Sequence, residues 1–189
     1  MRALGVNLPG LSRKTVDKRP YPPGQHGQAR KRISEYGVRL MEKQKLRVNY
    51  GISEVQLRRL FAEAVASRSV TGDKLLELVE RRLDNVAFRA GFAPTIPAAR
   101  QLVSHGHLLV NGKRVNIASY RVQRGDVVSV RLKSKDNASV LESIKSTPHR
   151  PDWISFNDEN RSATVNALPT AQSVPFELNV QLVIEYYAR

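Results

Sequence analysis

The dipeptide Asn111-Gly112 leaves this chain few ways to fold around it. It follows the apolar run Leu108-Leu109-Val110 and is followed at once by Lys113 and Arg114. Asn and Gly both accept positive φ, and a two-residue loop of that kind makes the type I′ turn whose twist matches paired strands. Residues 108–117 are therefore predicted to form a β-hairpin with two cations just past its tip. "RGDVVSVRL" supplies a further strand, with Val128 and Val130 facing opposite to Val127 and Ser129.

Helices are expected upstream. Thr95 can cap a helix over about 96–105, with Pro97 in its first turn and Gly106 as its stop. This helix buries Ile96, Ala99, Leu102 and Val103 and turns Arg100, Gln101 and Ser104 outward. A longer helix is predicted from Asp73 to about Arg89, ended by Gly91. Its inward stripe is Leu76, Val79, Leu83, Val86, Ala87 and Ala90, and Arg82, Asn85 and Arg89 share another face. Two further helices precede it. One over "SEYGVRLMEKQKLRVNYG" carries Val38, Met41, Leu46 and Val48. The other, over "SEVQLRRLFAEAVAS", is capped by Ser53 and carries Val55, Leu57, Leu60, Phe61, Ala64 and Val65 at near-helical spacing.

Charge divides the chain differently. The 189 residues carry 31 Lys+Arg against 17 Asp+Glu, a net of +14, with 41% hydrophobic residues available for a core. Such an excess points first to a nucleic acid and second to an anionic membrane surface. Eight of the cations lie within residues 1–32: Arg2, Arg13, Lys14, Lys18, Arg19, Arg30, Lys31 and Arg32, against Asp17 alone. "KRPYPPGQHGQARKR" cannot be helical through Pro20, Pro22, Pro23 and Gly24. By itself it is expected to be an extended, mobile arm that orders on a polyanion. The second basic block is 81–135, where Arg82, Arg89, Arg100, Lys113, Arg114, Arg121 and Arg124 can project from one compact unit. Cations on rigid elements bind phosphate at a lower ordering cost than cations on a coil.

Several functions are disfavoured. There are no cysteines, which removes disulfides, thiolate catalysis and thiolate-ligated metals. His105 and His107 flank Gly106 with no third ligand at metal-site spacing. No Ser or Cys nucleophile with a supporting acid lies beside them. Two surface or capping histidines are expected, either able to bond a phosphate or stack on a base. No apolar run approaches the ~18–20 residues that span a bilayer, so a soluble, intracellular chain is expected. Aromatic residues are only 6%, so stacking is a minor contribution, with Tyr21, Tyr50 and Tyr120 as its candidates.

"RLDNVAFRAGFAPTIPAARQLVSHGHLLVNGKRVNIASYRVQRGDVVSV", residues 82–130, closely resembles the RNA-binding module named after protein S-four of the small ribosomal subunit. That module also occurs in pseudouridine synthases, some tyrosyl-tRNA synthetases and a heat-shock RNA-binding protein. The flanks "PPGQHGQARKR", "SEYGVRLMEKQKLRVNYGISEVQLRRLF" and "LVIEYYAR" are similar to the rest of the bacterial-type S-four family. "TIPAARQLV" and "IEYY" lean toward its cyanobacterial and chloroplast branch.

The resemblance implies an α+β protein: a basic extended arm over 1–32, a helical domain over 33–80 rejoined by 181–189, and over 81–180 short helices packed on a small antiparallel sheet. It implies binding to small-subunit ribosomal RNA at a multi-helix junction of the 5′ domain, where the protein nucleates assembly. Neighbouring proteins S-five and S-three and messenger RNA at the entry side are implied partners, with an influence on decoding accuracy. The location would be the cytoplasmic ribosome, or alternatively that of the plastid stroma. The RNA face carried over to this chain is Arg82, Arg89, Arg100, Gln101, Ser104, His105, Asn111, Lys113 and Arg114, joined by the arm's Arg13, Lys14, Lys18, Arg19, Arg30, Lys31 and Arg32. No metal or cofactor is expected, since the zinc-binding form of the arm needs cysteines. A further basic segment of about a dozen residues ahead of Arg2 is expected from the family's usual length. The competing readings are an RNA-modifying enzyme and an RNA chaperone built on the same module.

Overall fold

A computed structural model describes residues 1–29, 32–147 and 149–188. They form seven α-helices and five strands, divided between two compact units: residues 1–75 with 174–189, and 76–173. No helix among the described residues is long and apolar enough to cross a membrane.

In the first unit, Ser34 caps α1 (Glu35–Tyr50) by accepting the Gly37 N–H, and Gly51 closes it at φ 58°. Ser53 opens α2 (Glu54–Ala66) with a reciprocal capping box to Gln56. The α2 stripe is narrower than its sequence predicts. Leu57, Leu60 and Ala64 are buried, whereas Val55 and Val65 are 60% and 55% exposed. On α1 the expected pattern is partly inverted: Val38 is exposed, while Glu42 and Lys43 are buried.

The inversion is caused by α7 (Val180–Tyr187), which packs along α1. Glu42 accepts the backbone N–H of Asn179 at 3.0 Å. Lys43 lies over the Tyr186 ring, 4.6 Å from its centroid, and donates to Glu54 at 2.8 Å. Arg39 bonds Glu185, and the Tyr187 hydroxyl donates to Glu54, each at 2.8 Å. Charged side chains go inside here because each meets an opposite charge or an aromatic face.

The leader, residues 5–29, has neither helix nor strand, as its prolines dictate, but its start is packed down. Leu8 is fully buried, and the Gly10 N–H is held by Asn49 Oδ1 at 3.0 Å. Arg2 donates to the Tyr21 carbonyl at 3.1 Å and lies over that ring. Leu8 and Gly10 thus tie down the start of the leader, while most of the stretch from Lys18 to Ala29 is exposed. Arg30 and Lys31 lie outside the described residues.

The second unit is a five-stranded antiparallel sheet in the order β2-β1-β3-β5-β4. Its strands are β1 (Leu108–Val110), β2 (Lys113–Arg114), β3 (Val127–Val130), β4 (Ile154–Asn157) and β5 (Ser162–Val165). Asn111 and Gly112 sit at φ 51° and 77°, and Val110 pairs with Lys113 across them. Val128 and Val130 face the core and alternate with half-buried Val127 and Ser129. They join Val86, Phe92, Ala99, Val103, Leu108, Ala163 and Val165 in one apolar cluster.

The single helix expected over 73–89 is two: α3 (Thr71–Glu80) and α4 (Leu83–Arg89). Arg82 is extended between them, at φ −64° and ψ 138°. The break is made by a distant segment. Leu83 N–H donates to Tyr120 O at 2.8 Å, Asp84 N–H to Ala118 O at 3.2 Å, and Val122 N–H to Arg81 O at 2.9 Å. A strand-like exchange with 118–122 outcompetes two helical turns. The apolar stripe runs straight across the break and gives no local sign of it. Then come α5 (Ile96–Ser104), capped by Thr95 as expected, and α6 (Ala138–Lys145).

Burial opposes charge on Glu54, but the hydrogen bonds from Lys43 and Tyr187 outweigh it and hold the carboxyl below the usual range. A depressed folded pKa contributes stability that is complete above the unfolded value and is lost as pH falls through the folded one. Glu54→Gln should therefore cost ~1–3 kcal/mol at pH 7, by depriving buried Lys43 of its carboxylate. The gap from wild type should close as pH is lowered toward 3, as read from thermal melts by circular dichroism. A gap independent of pH would contradict this account.

Candidate nucleic-acid interface

The residues expected to form one cationic face fall into two groups. Arg82 and Arg89 are turned inward. Arg82 forms a two-pronged pair with Asp84, Nε to Oδ1 at 3.1 Å and Nη2 to Oδ2 at 2.9 Å. Arg89 does the same with Glu80, at 3.1 and 2.7 Å, and its Nη2 also donates to the Ser173 carbonyl at 2.6 Å. The side chains of Asp84 and Glu80 are 1% and 0% exposed, those of Arg82 and Arg89 7% and 10%. These two arginines are committed to buried carboxylates, because a desolvated carboxylate needs a partner that neutralises it and fills its lone pairs. Asn85 completes the arrangement by donating to the carboxylate and backbone carbonyl of Glu80, both at 2.8 Å.

Arg100 is intermediate. Its Nε and Nη2 both reach Asp84 Oδ2, at 2.9 and 2.7 Å, yet its side chain is 34% exposed. One buried carboxylate thus holds two guanidiniums, and the surplus positive charge faces the solvent side, where Arg100 emerges.

The second group is exposed: Gln101, Ser104 and His105 on α5, and Lys113 and Arg114 on β2. Gly106, at φ 72°, links them. A Cβ there would collide with the Arg114 guanidinium, which lies directly against this glycine. The missing side chain therefore closes α5 and also lets Arg114 rest beside His105, at the helix end whose dipole favours a cation. Asn111 is exposed, but its amide is already used. Its Oδ1 accepts the Val127 N–H at 2.9 Å and its Nδ2 donates to Asp126 at 2.8 Å, so it holds the turn to the next strand. Arg121 and Arg124 are also exposed on this unit.

In the first unit Arg13, Lys14, Lys18 and Arg19 are exposed along the leader, and Arg32 is exposed just ahead of α1. Of the three tyrosines expected to stack on bases, Tyr50 is only 1% exposed and packs against Phe176, which takes it out of reach. Among the described residues no three His, Asp or Glu side chains are placed to hold a metal. His107 Nδ1 is shared with Ser134 Oγ at 2.8 Å. Asp84 and Glu80 are the positioning residues that sequence reasoning missed. Their signal was slight: each carboxylate directly follows a residue of the apolar stripe, Glu80 after Val79 and Asp84 after Leu83.

Asp84→Asn should destabilise the second unit by about 3 kcal/mol, because it leaves Arg82 buried beside a neutral amide. Arg82→Ala should cost more than Arg100→Ala, because the Arg82 side chain is 7% exposed and that of Arg100 34%, so its loss also leaves a larger void in the interior. Trp153, the only tryptophan and a member of this unit's core, reports the unfolding midpoints directly.

Residues 1–80 match the family model of the ribosomal protein S4/S9 N-terminal domain, and residues 81–128 match that of the S4 domain. The chain is 57% identical, over its whole length and 93% of the relative's, to small ribosomal subunit protein uS4 of Methylobacillus flagellatus. It is 54% identical, with the same coverage, to uS4B of Nitrosomonas europaea. It is 52% identical to uS4 of Crocosphaera subtropica, covering 94% of that protein. The lean toward the cyanobacterial branch read from two short stretches is thus not a distinction that whole-chain identity makes. Both family models in chain order, together with identity of this level over the full chain, establish that the chain belongs to the uS4 family of small ribosomal subunit proteins.

Proposed function

We propose that this chain is a structural protein of the small ribosomal subunit, acting by binding the subunit's RNA rather than by catalysis. The observation that carries the reading is the pair Lys113 and Arg114, exposed on a two-residue strand and fixed beside the outer side of α5 through Gly106. Their backbone is set by the hairpin before any ligand arrives, so little ordering cost remains to be met on binding. Arg100, held at the surface by Asp84, adds a third cation of fixed position. Gln101, Ser104 and His105 supply hydrogen-bonding groups between them. The leader's exposed cations add charge on the first unit. Arg82 and Arg89 support this face from below.

The finer reading follows from membership of the family. The target is a multi-helix junction in the 5′ domain of small-subunit ribosomal RNA, where binding nucleates assembly. The neighbours are S-five and S-three, with messenger RNA at the entry side and an influence on decoding accuracy. The site of action is the cytoplasmic ribosome, with the plastid ribosome as the alternative. Recognition would rest on phosphate geometry, because A-form helices hide most of their base edges. If about eight phosphates are met, log affinity should fall with log salt at a slope of about −6 to −7.

Replacing Lys113 and Arg114 together by Ala should leave the melt unchanged within about 0.5 kcal/mol. It should weaken binding to a transcript of the 5′ domain and flatten the salt slope by about two units. An unaltered slope would remove the pair from the interface. Equal binding of the wild-type protein to that folded transcript and to a scrambled one of the same length would overturn the function itself.

A further inference from the structure

Beside this cationic face, within the same unit, α5 forms one wall of a cleft of about 270 Å³. Ala98 and Leu102 belong to its apolar lining, and Gln101, His105, His107 and Asn137 add polar groups. The volume lies below the ~300–1,000 Å³ of ordinary small-molecule sites, a fit for a single heterocycle. Its polar groups are available for a ligand. Among the described residues the Gln101 amide and the His105 ring make no hydrogen bond, and Asn137 uses only its Oδ1, which caps α6 by accepting the Ser139 N–H at 3.0 Å. The two imidazoles stand 6.0 Å apart between centroids and are tilted by 53°. His107 is steadied by Ser134 at 2.8 Å. His105 is adjacent in the chain to Gly106, against which the Arg114 guanidinium rests.

We infer that this cleft takes one unstacked base of the bound RNA, whose phosphate is held at Arg114. The inference rests on the RNA-binding reading and adds a base-reading element to it. Three features fit a base better than another occupant. An apolar lining accepts a ring face. Unused amide donors and acceptors at the rim match a Watson–Crick edge, which is the edge a splayed-out nucleotide offers. A cation one residue from the rim holds the attached phosphate, so that backbone positioning and base reading come from adjoining groups. The cleft would thus read sequence, and not only shape.

Two full-length variants test it against a transcript of the 5′ domain of small-subunit ribosomal RNA. Ala98→Phe fills the cleft. The double variant Gln101→Ala with His105→Ala removes rim groups from exposed positions and decides the matter if the first variant melts early. Dimethyl sulfate and carbodiimide probing together report the Watson–Crick edges of all four bases. With wild-type protein one unpaired nucleotide should be protected, and in the variants that nucleotide alone should regain reactivity. Affinity should fall roughly tenfold, the loss of one stacked base, while the salt slope stays that of the wild type. Unchanged base reactivities in a folded variant, beside a normal wild-type footprint, would overturn the cleft and leave RNA binding standing. A flattened slope would reassign these side chains to phosphates and overturn it equally. A wild-type protein that binds the transcript but protects no base would likewise overturn the cleft alone, whereas one that does not bind the transcript at all would overturn the RNA-binding reading on which the cleft rests.

Discussion

The Asp84 carboxylate, buried at the start of α4, is the interaction on which the second unit depends. It accepts hydrogen bonds from two guanidiniums and from the backbone N–H of Asn85. A buried carboxylate with one partner gains little over an apolar residue of equal volume, because desolvation nearly cancels the attraction. A second guanidinium changes that balance, since all the acceptor positions are filled and the cluster carries a net positive charge. The arrangement ties the extended Arg82 to α5 through one group. It therefore fixes how Arg82 and Arg100 are held at the break that 118–122 makes. Glu80 and Arg89 repeat the device at the end of α3, with Asn85 bonded to both the carboxylate and the carbonyl of Glu80.

This has a consequence for reading basic proteins. A net charge of +14 invites the view that every cation in a basic block faces a polyanion. Here the same residue type does two jobs in one short segment. Arg82 and Arg89 are internal counterions whose removal would be felt as lost stability. Lys113 and Arg114 are exposed surface charges that, among the described residues, pair with no buried carboxylate and are the proposed contacts to RNA. Arg100 belongs to both groups, paired at its guanidinium and a third exposed along its side chain. The first unit follows the same rule, with Lys43 and Glu42 buried between α1 and α7 while the leader's cations stay in solvent.

Much of the local structure was legible. Asn111-Gly112 announced its turn because Asn and Gly both accept the positive φ that a type I′ two-residue hairpin requires. Ser53 and Thr95 announced their helices because an oxygen at that position takes up an otherwise orphaned N–H. The alternation of Val128 and Val130 announced which side of β3 faces inward. The break at Arg82 was not legible. Its cause lies some forty residues away in 118–122, and the apolar period continues through it undisturbed. Nor was Leu8 legible as an anchor, since one leucine among prolines and cations has no periodicity to detect. Tyr50 looked like a stacking residue for the same reason, as sequence does not say which tyrosines end α1 against a phenylalanine.

What the amino-acid order determines unaided is therefore the set of elements, the hairpin and the surplus of positive charge, because caps, turns and alternation act over a few residues. Which of those charges remain available, and which are consumed by buried carboxylates, was settled by packing. An ion pair forms between residues that the backbone brings within about 3 Å, and such neighbours can be two positions apart, as Arg82 and Asp84 are, or 146, as Arg39 and Glu185 are.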